Sequence, residues 1–237
     1  MNAECDLLVK SLNKRIGNLP NFLTAFERQN TLEPWHSNTV GALPMKVFAN
    51  YKRLLTAQRM DYEDIAWPAR NLLELLVWML YATKSPENAK RFYEDAIIDM
   101  QNLCKHAANV LKHDKAPETP EIMANRAFLT EERTKSGLKE EDKFLSAGRV
   151  ALEVGMAESF VGFNGILSKL VHVTSMSLLT YNLSEETDRS LRAGFILTGL
   201  TAAKDSLDVF AAFCKRIGID ASAIEDGALE YPHKIRP

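Results

Sequence analysis

Ser159 to Asn182 reads SFVGFNGILSKLVHVTSMSLLTYN, and it contains both the fold class and the chemistry of this chain. Phe160, Phe163, Ile166, Leu167, Leu170, Val171, Leu178 and Leu179 place apolar side chains around most of a helix circumference, the pattern of a buried helix. One polar stripe interrupts them. Asn164, Ser168 and His172 recur every fourth residue, so they stack on a single face about 6 Å apart. Buried polar groups need partners, because an unpaired donor or acceptor costs on the order of 1–3 kcal/mol. The stripe is therefore expected to be either a hydrogen-bonded seam between helices or a binding or catalytic site.

A second segment has the same character. From Ile65 to Thr83, Leu72, Leu73, Leu75, Leu76, Val77, Met79 and Leu80 leave little polar surface, so this is expected to be a central bundle helix. Its exceptions are Arg70 and Glu74, four apart on one face. If the two central helices face each other, Ser168 and His172 are natural partners for that pair. The candidate polar cluster is therefore Arg70, Glu74, Asn164, Ser168 and His172.

The remaining segments also read as helical, and strand-like alternation never lasts. Cys5–Ile16 is amphipathic, with Gly17 and Pro20 expected to end it and two turns at Phe22–Gln29. Asn30–Pro44 reads as loose chain, with Pro44 opening a helix that runs to about Met60. Ser85, Pro86 and Glu87 are a helix start, and Ala89, Phe92, Ala96, Met100, Leu103, Ala107 and Val110 form a near-heptad stripe reaching Lys112. Asp114–Pro120 is a loop by composition, followed by a charge-rich helix over Glu121–Arg133. Helix is expected again over Glu140–Val154, broken at Gly155. The last long helix starts after Ser184 and ends at Gly218, and Asp220–Pro237 is expected to be a tail that packs loosely or not at all. The expected fold is an all-α up-down bundle, organised as an N-terminal helical extension over residues 1–60, a core bundle over 61–218 and a C-terminal tail over 219–237.

Composition narrows the function classes. The 237 residues are 46% hydrophobic and 25% charged, with a net charge of −2. That excludes a global positive field drawing the chain to nucleic acid or acidic membranes, while leaving local basic patches open. No apolar run is long and uncharged enough to span a bilayer. Met1 to Arg15 lacks the pattern of a signal peptide. Cys5, Cys104 and Cys214 are odd in number and widely spaced, which fits a reducing cytoplasm. Five histidines include no H-x-x-x-H pair, and glycine-rich phosphate loops are absent, so neither a metal nor a cofactor is expected. Lys105, His106, Lys112, His113 and Lys115 could touch phosphate, yet cations near a helix C-terminus also complement the helix dipole without a ligand.

Three stretches carry a family resemblance. RNLLEL (Arg70–Leu75), RFYEDAIID (Arg91–Asp99) and NGILSKLVHVT (Asn164–Thr174) together resemble a group of uncharacterised bacterial helical proteins related to the HEPN superfamily. The resemblance spans about Ile65 to Ile217. It implies a compact HEPN-like bundle, often a homodimer, in a superfamily rich in RNases and in defence and toxin–antitoxin proteins. Their metal-independent cleavage uses an R-x(4–6)-H motif. This chain has no Arg followed by His at that spacing, and Ser168 and Lys169 precede His172 instead, so the catalytic pair does not carry over. The expected role is binding or regulation in a bacterial stress or defence setting, with RNA or a protein as partner. The alternatives are a ribonuclease with a His172-centred site, and an adaptor whose polar cluster only fixes helix packing.

Overall fold

The computed structural model describes residues 3–29, 31–136, 145–171 and 183–225. Among these residues there are eight α-helices, one short 3-10 turn and no strand. In chain order the helices are α1 (Ala3–Arg28), α2 (Pro34–Ala57), α3 (Tyr62–Lys84), α4 (Pro86–His113), α5 (Pro120–Ser136), α6 (Ala147–Glu153), α7 (Ala157–Val171) and α8 (Glu185–Arg216). The 3-10 turn spans Ser222–Ile224. The all-α bundle expected from the sequence is what the chain forms.

α3 is the hub. It packs against α8, α2, α7, α4 and α6, and Ile65, Ala66, Ala69, Leu72, Val77, Met79 and Ala82 along it are fully buried. Its closest partner is α8, and Gly199 sets the approach. A Cβ there would lie 2.6 Å from Leu54 Cδ2 and 3.1 Å from the Ala69 backbone Cα. Any side chain there would have to displace both neighbours.

Two N-terminal expectations need correction. α1 is one continuous helix through Gly17 and Pro20, not two pieces. Leu8, Leu12, Ile16, Leu19, Leu23 and Phe26 are buried, and each such side chain contributes roughly 1.5–3 kcal/mol on burial. Together they outweigh the ~1 kcal/mol penalty of a mid-helix glycine and the lost amide donor of Pro20, which sits on the exposed side. α2 likewise begins ten residues before the expected Pro44. Pro34 occupies the first turn and Pro44 lies inside the helix, while Val40, Leu43, Val47, Tyr51 and Leu54 make its buried stripe. Rings from α1 and α8 close this end of the core, with Phe22 and Phe26 centred 6.0 and 5.6 Å from Phe210.

The chain past α8 also differs from expectation. Ile219, Ala221 and Ile224 are buried, so residues 219–225 are not loosely packed. Arg15 holds them: its side chain is 1% exposed, and it donates from Nε to the Ile224 carbonyl at 2.6 Å and from Nη2 to Asp208 Oδ1 at 2.7 Å. Residues 226–237 of the expected tail lie outside the described residues.

α4 and α5 form a hairpin that leaves the main core. α4 touches it through Phe92, stacked on Trp78 at 4.8 Å. Beyond that point the expected heptad stripe is not buried, since Met100, Leu103 and Val110 are exposed. Ile97 and Cys104 instead meet Leu129 of α5 in a small separate cluster. The chain returns to the bundle at Leu145, whose amide donates to the buried Asp95 carboxylate at 2.7 Å. α6 starts at Ala147, capped by Ser146, later than the expected Glu140; residues 137–144 lie outside the described ones.

Helix ends follow local chemistry. Ser85, Ser146 and Ser184 each accept an amide hydrogen bond in the first turn that follows, satisfying donors a helix start leaves open. Gly155 and Gly218 adopt positive φ and close α6 and α8 with paired backbone hydrogen bonds, the arrangement in which glycine costs least. α4 ends the same way on Lys115, at φ 56°.

Candidate functional site

Arg70 and Glu74 lie one turn apart on α3, and Ser168 sits in the last turn of α7. Arg70 donates from Nη2 to Glu74 Oε1 at 2.6 Å and from Nε to Ser168 Oγ at 2.9 Å. One guanidinium thus links two helices and neutralises a carboxylate. The pair is half-buried, with side-chain exposures of 26% and 25%. Loss of water pushes the Glu74 carboxyl above its usual range, and the neighbouring Arg70 charge opposes that shift without cancelling it.

Asn164, one turn before Ser168, does not join the hydrogen-bonded chain through its oxygen. Its Oδ1 is buried with no partner among the described residues. His172 lies outside the described residues, as do Leu178 and Leu179 of the same expected helix. The structure therefore brings together three of the five expected cluster residues, Arg70, Glu74 and Ser168.

α7 is less enclosed than its composition suggests. Phe160, Leu167 and Leu170 are buried, but Val161, Phe163 and Ile166 are exposed. The expectation of burial around most of the circumference is corrected here: among the described residues α7 packs chiefly on α3 and α6.

Further polar arrangements escaped the sequence reading, because each joins at least one residue far away in the chain to the others. Tyr62 donates to Asp188 Oδ1 at 2.8 Å, Arg192 Nε reaches Asp188 Oδ2 at 2.9 Å, and the Arg192 guanidinium lies 4.6 Å from the Tyr62 ring centre. Burial, with the Asp188 carboxylate adjacent, pushes the Tyr62 hydroxyl up to about 12. This cluster fastens the start of α3 to the start of α8. Nearby, a cavity of about 560 Å³ lies between α2 and α3, lined by Arg53 and Trp67 among others, with the Arg53 guanidinium 5.0 Å from the Trp67 ring.

The basic group on α4 is exposed, as a solvated helix end would be. Lys105, Lys112 and Lys115 also border a cleft of about 1060 Å³ between α4 and α5. His106 and His113 are not among its lining residues. Among the described residues no cluster of His, Cys, Asp and Glu side chains is arranged to hold a metal ion, and no helix is long and apolar enough to cross a membrane.

The sequence pattern of a family of unknown function, DUF5677, matches residues 52–190, more than half of the chain. The chain belongs to that family. The DUF5677 match contains α3 to α7, and with them Arg70, Glu74, Asn164, Ser168 and His172. It leaves out α1 and most of α8, although α8 supplies the main packing surface of α3. In this protein the family segment is thus folded against elements that lie outside it. No curated protein and no solved structure matches the chain at a significant level.

Proposed function

We propose that this DUF5677 protein is a cytoplasmic, HEPN-like binding or regulatory protein that associates with RNA, as a homodimer, in a bacterial stress or phage-defence setting. The observation that supports a binding role over a nuclease is the state of Arg70. Its Nη2 is held by Glu74 and its Nε by Ser168. An arginine that stabilises a developing phosphorane charge needs donors aimed at the reacting group, and here a carboxylate already neutralises it. The absence from the sequence of the superfamily's Arg–His spacing points the same way. RNA association and the bacterial setting rest on the family resemblance.

The homodimer draws support from the resemblance and from α7. Val161, Phe163 and Ile166 are exposed on a helix whose composition is that of a covered one, and a second copy of the chain would cover them. The same Arg70–Ser168 bond favours a second reading, in which the cluster only ties α3 to α7 and the protein is an adaptor. Incubation with labelled single-stranded RNA in the presence of a chelator tests the first reading: bound, intact RNA is expected, while an absence of binding would leave the adaptor reading.

A further inference from the structure

Lys105, Lys112 and Lys115 gather around one cleft on a protein whose net charge is −2. Exposed cations on one rim attract anions from solution, and no described carboxylate pairs with any of the three. The carboxylate that lines the cleft is Glu118, and it is engaged by Arg126, whose Nη1 lies 2.9 Å from both of its oxygens. The rim therefore keeps three positive charges uncompensated.

Complementing the helix dipole does not explain the arrangement. Dipole effects fall off within the last turn of a helix, and Lys105 is two turns before the end of α4. Lys105 and Lys112 share a face, separated by about 10 Å along the axis. Lys115 then extends the row past the helix end. It occupies the left-handed conformation, at φ 56°, that glycine fills at the ends of α6 and α8. A lysine there is strained, and this turn places Lys115 at the edge of the cleft. Gln101, which also lines the cleft, ties α4 to α5: it donates to the Leu129 carbonyl and accepts from Arg133 Nη1 at 2.9 Å.

We propose that the cleft between α4 and α5 binds a run of linked phosphate groups through Lys105, Lys112 and Lys115. The row is longer than a single phosphate and suits successive phosphates of one chain. Free polyphosphate and the backbone of single-stranded RNA share this chemistry. The site lies on the hairpin, separate from the Arg70 cluster, and the proposal goes beyond the RNA reading because free polyphosphate would also satisfy it.

Fluorescence anisotropy with a labelled single-stranded RNA 12-mer, competition against it, and direct calorimetric titration with tripolyphosphate test the proposal on the full chain. Saturable binding of either probe is expected, weakened at least about tenfold in Lys105→Ala/Lys112→Ala. With RNA, the logarithmic salt slope should fall by about 0.7 for each lysine lost. Lys14→Ala, on the exposed side of α1, should bind as wild type does, and circular dichroism confirms that each variant is folded. Calorimetric binding of tripolyphosphate without RNA binding would support the cleft and remove the RNA reading. RNA binding unchanged in the double variant would overturn the cleft and leave the RNA reading standing. Equal competition by polyglutamate would also overturn it, as would no binding of either probe at low salt.

Discussion

The Arg70 guanidinium donates from Nε to Ser168 Oγ at 2.9 Å, a bond between α3 and α7 across 98 residues of sequence. Because the donor is charged and half-buried, the bond contributes more than an exposed one would. Ser168→Ala should therefore lower stability by about 1–2 kcal/mol, the lower part of the range for charged donors because water can still reach Arg70. A urea midpoint unchanged from wild type would show that the bond does not hold the two helices together.

Glu74 gives a pH-dependent prediction. Its folded-state pKa is raised above 4.5, chiefly by desolvation. With a raised carboxyl pKa, the folded state holds its proton longer than the unfolded state as pH rises from about 4.5 upward, so the group's contribution to stability falls across that window. Glu74→Gln does not titrate. Its stability relative to wild type should improve between pH 4 and pH 7, read from urea midpoints at the two values. A relative loss over that interval would mean that the Arg70 attraction outweighs burial.

The α3–α8 crossing depends on the missing side chain at Gly199. With Leu54 Cδ2 at 2.6 Å and the Ala69 backbone at 3.1 Å from an added Cβ, Gly199→Ala must move both neighbours. Leu54 can rotate away, but the α3 backbone cannot yield without shifting a helix. A loss of about 1–3 kcal/mol is expected, against the gain alanine normally brings inside a helix. A higher melting temperature in Gly199→Ala would show that the two helices are less closely opposed.

The assembly prediction follows from α7. Light scattering at tens of micromolar should give twice the 26.6 kDa chain mass. Ile166→Lys should shift the mass to that of a monomer by placing a charge on the exposed apolar side. A wild-type monomer at that concentration would remove the homodimer from the account.

What the sequence made legible depended on how far apart the deciding residues lie. The helix α3 announced itself through its apolar run, and α8 through periodicity and caps, since Ser184 and Gly218 sit where a helix starts and stops. The Arg70–Glu74 pair was legible for the same reason, being one turn apart. Ser168 could be placed beside it because both helices are rich in apolar residues except on those faces. Pro20, Pro44 and Gly17 misled, because their local penalties are small beside the burial of Leu12, Ile16, Val40 and Leu43. The Arg15 clasp on Ile224 and the docking of Tyr62 on the one-turn pair Asp188–Arg192 had no local pattern. Their partners meet only after the chain has folded. The stripe on α4 was a true helix signal but a false burial signal, since periodicity shows which residues share a face and not whether a neighbour covers it.

The most direct test of a binding protein without nuclease chemistry is a gel that follows labelled single-stranded RNA incubated with wild type and with His172→Ala, both in chelator. The account predicts RNA of slower mobility and undiminished length with wild type, and no shortened product with either protein. Metal-free cleavage by wild type that disappears in His172→Ala, with the two proteins sharing one urea midpoint, would contradict it.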